Sequence, residues 1–241
     1  LVYKKTDRVK GEIYRPFEII APVSVDLENP VEIFVDNNPR SIRVAVQAGK
    51  ANCSGSLKLA YPKGWSVSPE AIDFSLAAKG EKAFYEFQLT APDGASTGLI
   101  SPMATVDGQT YVKKEIIIAY DHIPTQTIYR HATAKVVKLD IKTAGRNIGY
   151  IMGSGDAIPA SLEQIGYSVS LLDESILQSR DLGVYDAIIV GIRAYNTEQW
   201  LKYQQAKLME YVKNGGTMIV QYNTSRGLVT PDLGPYPLKL S

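Results

Sequence analysis

Asn147-Ile148-Gly149-Tyr150-Ile151-Met152-Gly153-Ser154-Gly155-Asp156 is a short apolar run closed by a glycine-rich turn, and a helical pattern follows it as far as Gly166. Strand, tight turn and helix in that order open an α/β unit. Asp156 is placed to act as the helix N-cap, because its carboxylate can accept orphan backbone N–H bonds at the positive end of the helix dipole. Gly166 suits the position just past the helix end. Further on, Ser168-Val169-Ser170-Leu171-Leu172, Tyr185-Asp186-Ala187-Ile188-Ile189-Val190 and Gly216-Thr217-Met218-Ile219-Val220-Gln221 repeat the apolar strand. Between the last two a helix is expected over residues 197–213, with Leu201, Leu208 and Val212 on one face and Gly215-Gly216 ending it. Strands alternating with helices predict a parallel sheet joined by right-handed crossovers, a doubly wound α/β domain over 146–241. Its fourth strand falls close to Ser241, which leaves open that the domain is incomplete at its C-terminal end.

Upstream of Gly145 the rhythm is different. Ser41-Ile42-Arg43-Val44-Ala45-Val46-Gln47 alternates polar and apolar residues, which puts Ile42, Val44 and Val46 on a buried face and turns Arg43 and Gln47 to water. Ser56-Leu57-Lys58-Leu59-Ala60-Tyr61 repeats the pattern, and Ala83-Phe84-Tyr85-Glu86-Phe87-Gln88-Leu89 is a third strand. Pro62-Lys63-Gly64 and Pro92-Asp93-Gly94 are turns, and 37–39 and 48–52 are loops. Short strands punctuated in this way predict an all-β sandwich over 15–122, preceded by an extension, 1–14. Residues 123–145 are expected as a linker, within which Val136-Val137-Lys138-Leu139-Asp140-Ile141 reads as an extra strand able to pair.

A chain of 241 residues is long enough for two such cores. The balance of 26 Lys+Arg against 25 Asp+Glu gives no basic face for nucleic acid. One cysteine, Cys53, closes no intrachain disulfide, and the pair His122 and His131 makes a multi-histidine metal site unexpected. Strand-sized apolar runs fall short of the about 20 residues that span a bilayer. The opening Leu1-Val2-Tyr3-Lys4-Lys5 lacks an initiator Met and a signal-peptide core, the pattern of a piece of a longer protein.

Tyr61-Pro62-Lys63-Gly64-Trp65-Ser66-Val67-Ser68-Pro69, followed by Phe87-Gln88-Leu89-Thr90-Ala91-Pro92 and Ala95-Ser96-Thr97-Gly98, resembles the immunoglobulin-like module appended to bacterial α-galactosidases and other carbohydrate-active enzymes. The second half, with Ile148-Gly149-Tyr150-Ile151, Gly191-Ile192-Arg193-Ala194-Tyr195-Asn196 and Val220-Gln221-Tyr222-Asn223-Thr224, resembles a class I glutamine amidotransferase-like domain, a flavodoxin-like doubly wound fold. Both modules joined by Tyr120-Asp121-His122-Ile123-Pro124 are similar to the C-terminal region of PIG-L (LmbE-like) deacetylases of Bacteroidetes-type bacteria. That resemblance implies an upstream zinc-dependent N-acetylglucosamine deacetylase domain as partner and a periplasmic or extracellular setting. The family's H-P-D-D motif is missing, so the deacetylase activity does not carry over. The amidotransferase nucleophile is a cysteine at the strand-to-helix elbow, and the second half contains no cysteine.

The fold gathers Asp156, Arg193, Tyr195, Asn196, Gln221 and Asn223 at the carboxyl edge of the sheet, where open α/β domains bind ligands. The set suits a polar neutral or anionic small molecule such as a sugar. In the competing reading Arg193 pairs with Asp156 and the others satisfy loop backbone. No cofactor, metal or catalytic residue is expected, and the chain is read as a non-catalytic accessory region, in which the sandwich is a spacer and the α/β domain a packing or glycan-binding partner, its candidate ligand a glycan or amino sugar. A second reading makes the α/β domain a hydrolase using Asp156, Arg193 and Tyr195. A third, a nucleotide on the Gly153-Ser154-Gly155-Asp156 turn, lacks the third glycine of the dinucleotide fingerprint, where Ile158 stands. Trp65 is expected in core packing over a sugar-stacking platform, Cys53 as a small buried hydrophobe, and His122 as a hydrogen-bonding group at the joint between domains.

Overall fold

The computed structural model describes residues 2–9, 11–120, 122–238 and 240. Asp121, in the joining string, lies outside them. The chain divides into two compact units, Leu1–Asp140 and Ile141–Ser241.

The first unit holds β1 (Val2–Asp7), β2 (Gly11–Pro16), β3 (Val23–Leu27), β4 (Val31–Phe34), β5 (Arg40–Ala48), β6 (Cys53–Ala60) and β7 (Ser66–Ser68). It continues with β8 (Ile72–Leu76), β9 (Lys82–Thr90), β10 (Ser96–Val106), β11 (Gln109–Tyr111), β12 (Lys113–Ile118), β13 (Gln126–His131) and β14 (Ala134–Lys138). Two sheets, ordered β3-β5-β9-β7 and β4-β14-β10-β6-β8, share one apolar core and form a β-sandwich. The alternation read in Ser41–Gln47 sets the inner face of β5: Ile42, Val44 and Val46 are buried and Arg43 is exposed. Its register against β9 places Ile42 opposite Phe87 and Val46 opposite Ala83.

Trp65 closes the core. Its indole packs edge-on against Phe34 at 5.0 Å and donates Nε1–H to Ser96 Oγ at 3.0 Å, so the ring offers no face to a sugar. Cys53 is buried, its thiol donating to the Pro22 carbonyl, and burial pushes that thiol up.

Of the stretch expected as linker or extra strand, residues 134–138 are woven into the sandwich, while β13 lies in a separate two-stranded sheet. β14 runs antiparallel to β10 and parallel to β4, and β13 forms a hairpin with β12. The reason is burial: Ala134, Val136 and Lys138 alternate inward, and Lys138 Nζ reaches the Val35 carbonyl at 2.9 Å. The N-terminal extension is likewise structured, β1 pairing with β2 in a hairpin whose described side chains are mostly exposed. His122 falls within the first unit, exposed and stacked on Tyr120 at 5.8 Å.

The second unit contains β15 (Asn147–Ile151), α1 (Ile158–Gln164), β16 (Ser168–Leu171), α2 (Glu174–Ser179), β17 (Ala187–Val190), α3 (Ala194–Thr197), α4 (Leu201–Lys213) and β18 (Thr217–Val220). The four strands are parallel in the order β16-β15-β17-β18. Alternation along the strands feeds both faces. Ile151, Ile188 and Val190 pack with Leu177 of α2 and Leu201 and Leu208 of α4. Ile148, Tyr150 and Ile189 pack on the other side with Leu162 of α1. Because β16 and β17 flank β15 on opposite sides, the crossovers that lead to them place α1 and α2 on opposite faces.

α1 ends as its glycine requires. Gly166 has φ +99°, its N–H donates to Glu163 O, and Tyr167 N–H donates to Leu162 O, the paired bonds of a Schellman motif. The helix expected over 197–213 begins later, at Leu201. Glu198 leaves helical backbone with ψ 90° and separates the single turn of α3 from α4.

Candidate functional site

β15 and β17 are neighbours whose following connections depart in opposite directions, which makes their carboxyl ends the topological switch point of the sheet. Three loops meet there, 152–157, 191–193 and 221–224. Ser154 N–H donates to Ile192 O at 2.9 Å, and Arg193 N–H donates to Tyr222 O at 2.7 Å. The first contact needs Gly153: a Cβ there would stand 2.1 Å from Ile192 O and 2.6 Å from Ala194 N.

Asp156 does not cap α1 as expected. Ala157 holds the N-cap position without a side-chain bond, while Asp156 Oδ1 accepts Ile158 N–H at 2.9 Å from one residue further out. Its Oδ2 takes the hydroxyl of Tyr150 at 2.7 Å, and that hydroxyl lies 3.5 Å from Gln221 Oε1. Burial, and then the carboxylate beside it, raise the Tyr150 phenol well above its usual range. Tyr150 is therefore a permanent proton donor at neutral pH, and Asp156 is a carboxylate already held on both oxygens. The loop N–H groups of Ser154 and Ile158 are also occupied, which leaves the glycine turn poorly suited to cradle a phosphate.

The other expected residues divide into two kinds. Tyr195 is fully buried, its hydroxyl donating to Gln205 Oε1 at 2.7 Å, and burial pushes that phenol up to about 12. Asn223, also buried, accepts Tyr195 N–H at 3.1 Å and donates to Gln221 O at 2.8 Å. Asn196 donates to Thr224 O and Arg226 O and accepts Thr224 N–H. These three stitch loops together.

Arg193 differs from them. Its backbone is left-handed, φ 59° and ψ 17°, and its side chain is exposed. Among the described residues it makes no ion pair, with Asp156 or any other carboxylate. A non-glycine residue in this region costs about 1–2 kcal/mol. The exposed side chains at the switch point include Ile192, Arg193 and Tyr222, of which Arg193 carries the charge, and Asp156, Asn196 and Gln221 are half-buried.

Sequence reading missed Tyr150, hidden in a run of aliphatic residues as one more apolar position. It also missed Asp173, which caps α2 by accepting Ile176 N–H, although Asp173-Glu174-Ser175 ahead of an apolar pair is a start signal for a helix.

No family model matches the chain, and no curated protein matches it. Among solved structures it is similar to the Reelin-N domain of F-spondin, at 13% identity over 50% of this chain and 88% of that one, TM-score 0.29. Others are native alpha-2-macroglobulin from Escherichia coli, 14% identical over 49% of this chain and 17% of that one, TM-score 0.29, and WR4, a C. elegans MSP family member, 10% identical over 48% and 97%, TM-score 0.26. Scores this low decide nothing about the site. Among the described residues no helix is long and apolar enough to cross a membrane.

Proposed function

We propose that this chain is a non-catalytic accessory region of a larger carbohydrate-active protein of the PIG-L deacetylase kind. In this reading the sandwich is an immunoglobulin-like spacer. The parallel-sheet unit is a doubly wound, amidotransferase-like domain that binds a polar neutral or anionic sugar at its carboxyl edge. The setting is periplasmic or extracellular, and the upstream catalytic domain is the partner in the same protein.

One observation supports the binding role: Arg193 occupies a strained left-handed position at the switch point while its guanidinium is exposed and makes no ion pair among the described residues. Strain of this sort persists where the surrounding structure imposes it, and it clusters at ligand sites. Asp156 and Gln221, which meet at the Tyr150 hydroxyl, lie on neighbouring loops of the same edge as acceptor and amide. The hydrolase reading loses ground on the same geometry, since Tyr195 is buried against Gln205 and Asp156 already accepts a hydrogen bond from the Tyr150 hydroxyl.

Isothermal titration of the chain with neutral, acidic and amino sugars tests this. The expected result is heat with at least one neutral or acidic sugar, lost in Arg193→Ala. Absence of heat across the panel, or binding unchanged in Arg193→Ala, refutes the site.

A further inference from the structure

We propose that a second cleft, between the carboxyl ends of β15 and β16 and the connection into α4, binds a protonated alkylamine. This does not rest on the sugar reading. The cleft has a volume of about 240 Å³, the room of roughly eight waters at about 30 Å³ each. Met152, Leu171 and Leu172 supply apolar walls, Trp200 an aromatic surface, and Asp173 and Glu198 the polar groups.

What those polar groups can do is limited. The indole Nε1–H of Trp200 is taken, donating to Glu198 Oε2 at 3.0 Å. Asp173 Oδ1 accepts both Ile176 N–H at 2.8 Å and Ser175 Oγ at 2.9 Å, and these bonds, the backbone one first, hold its carboxyl below the usual range. Among the described residues no hydrogen bond of ordinary geometry ends on Asp173 Oδ2 or Glu198 Oε1, although the Ser175 N–H also helps to lower the Asp173 carboxyl. An ionised carboxylate only accepts hydrogen bonds. The lining side chains therefore offer two open acceptors and no free donor, and no Lys or Arg lines the cleft.

Such a lining repels anions and leaves acceptor groups of a ligand unpaired. It selects a donor that carries positive charge. α2 and α4 both begin here, at Asp173 and Trp200, and each N-terminus brings about half a positive charge, less than the two carboxylates supply. An ammonium group is drawn to the carboxylates of Asp173 and Glu198, and its alkyl stem finds apolar surface on Trp200, Met152, Leu171 and Leu172.

The test is a ¹H–¹⁵N NMR titration of the full chain with n-butylammonium, with n-butanol as its neutral isostere. Butylammonium should shift the amides of Gly153, Leu172 and Asp173 and the Trp200 indole signal, with a dissociation constant on the order of millimolar. Butanol should bind about tenfold more weakly, and the preference should fade as salt screens the carboxylates. The double variant Asp173→Asn, Glu198→Gln keeps both acceptors in shape, since Asn caps a helix as well as Asp. It should lose the discrimination between the two probes. Equal binding of butanol to the native chain, a double variant that still prefers the cation, or no shift at these residues with butylammonium in the tens of millimolar would each overturn the proposal. The native comparison needs no variant to fold.

Discussion

Replacing Arg193 by glycine should make the second unit more stable, against the usual direction of substitutions. The left-handed backbone at φ 59° costs an arginine about 1–2 kcal/mol and costs glycine nothing. Glycine also gains about 0.4–1 kcal/mol of unfolded-state entropy, which opposes folding. The difference leaves a net stabilisation of about 0–1.6 kcal/mol, centred near 0.8. The guanidinium adds little to this sum, because it is exposed and unpaired. Arg193→Ala, which keeps the Cβ and hence the strain, should accordingly fall within about 0.5 kcal/mol of the native chain. The chain has two compact units, so the measurement must be local. Urea unfolding followed by the NMR amide intensities of Ile188, Ile189 and Val190 reports on β17 alone. With a slope of about 1–3 kcal/mol/M, the Arg193→Gly midpoint should rise by roughly 0.3–0.8 M. Arg193→Gly should also abolish sugar binding, so that stability and binding change in opposite senses. If Arg193→Ala instead loses more than about 1 kcal/mol, the side chain is holding the loops, and strain at this position is no sign of a ligand.

Gly153→Ala forces a Cβ against Ile192 O and Ala194 N, so the loops after β15 and β17 must separate and the Ser154 to Ile192 bond is lost; a fall of at least about 2 kcal/mol in the same β17 amide assay is expected. A fall under 0.5 kcal/mol would mean that the loops yield freely. In the sandwich, Phe34→Ala removes a fully buried ring packed edge-on with Trp65 and should cost about 3–5 kcal/mol, read by amide exchange of Val44 and Val46. Tyr195 links stability to alkaline pH. Its phenol is raised from the ordinary 10 to about 12, so its contribution is whole below pH 10 and is lost as pH rises through 12. Between pH 8 and 11 the unfolded state releases a proton that the folded state keeps, which removes about 1.4 kcal/mol, about 1 kcal/mol of it above pH 10. Urea midpoints at pH 8, 10 and 11 should fall more steeply for the native chain than for Tyr195→Phe, and equal slopes would contradict the assignment.

How much of this was legible in the chain depends on the range of the interactions. Ser41–Gln47 announces its own buried face because alternation is a local property, and β5 carries that pattern out. The parallel strands could be read from their apolar runs for the same reason. β14 could not be placed so well: its neighbours are Ser96–Ile100 and Val31–Phe34, one pairing antiparallel and one parallel, and no short window contains either partner. The β1–β2 hairpin escaped because its side chains are mostly exposed, so no apolar face marks it. Asp156 was found at the right turn and given the wrong duty by one residue. The choice between capping α1 and bridging Tyr150 to Ile158 is made by the exact start of the helix, the least legible feature of a sequence.

The switch-point residues show why the remaining ambiguity is chemical. A loop at the carboxyl edge of a parallel sheet needs side-chain donors and acceptors to satisfy backbone that has left the ladder. A ligand site at the same edge needs the same residue types. Asn196, Asn223 and Arg193 therefore look alike in the sequence, all polar, all just past a strand. Only the partners separate them. Asn196 and Asn223 bond to carbonyls and N–H groups of loop 221–226 and of Tyr195, and their loss would unravel those connections. Arg193 contributes its backbone to the stitching, through Tyr222 O, and nothing of its side chain. Its backbone role would be filled with less strain by glycine. An arginine at a position that favours glycine, exposed and without an ion pair among the described residues, is what the proposed binding role would account for, and that proposal rests on the dihedral angle and the guanidinium together.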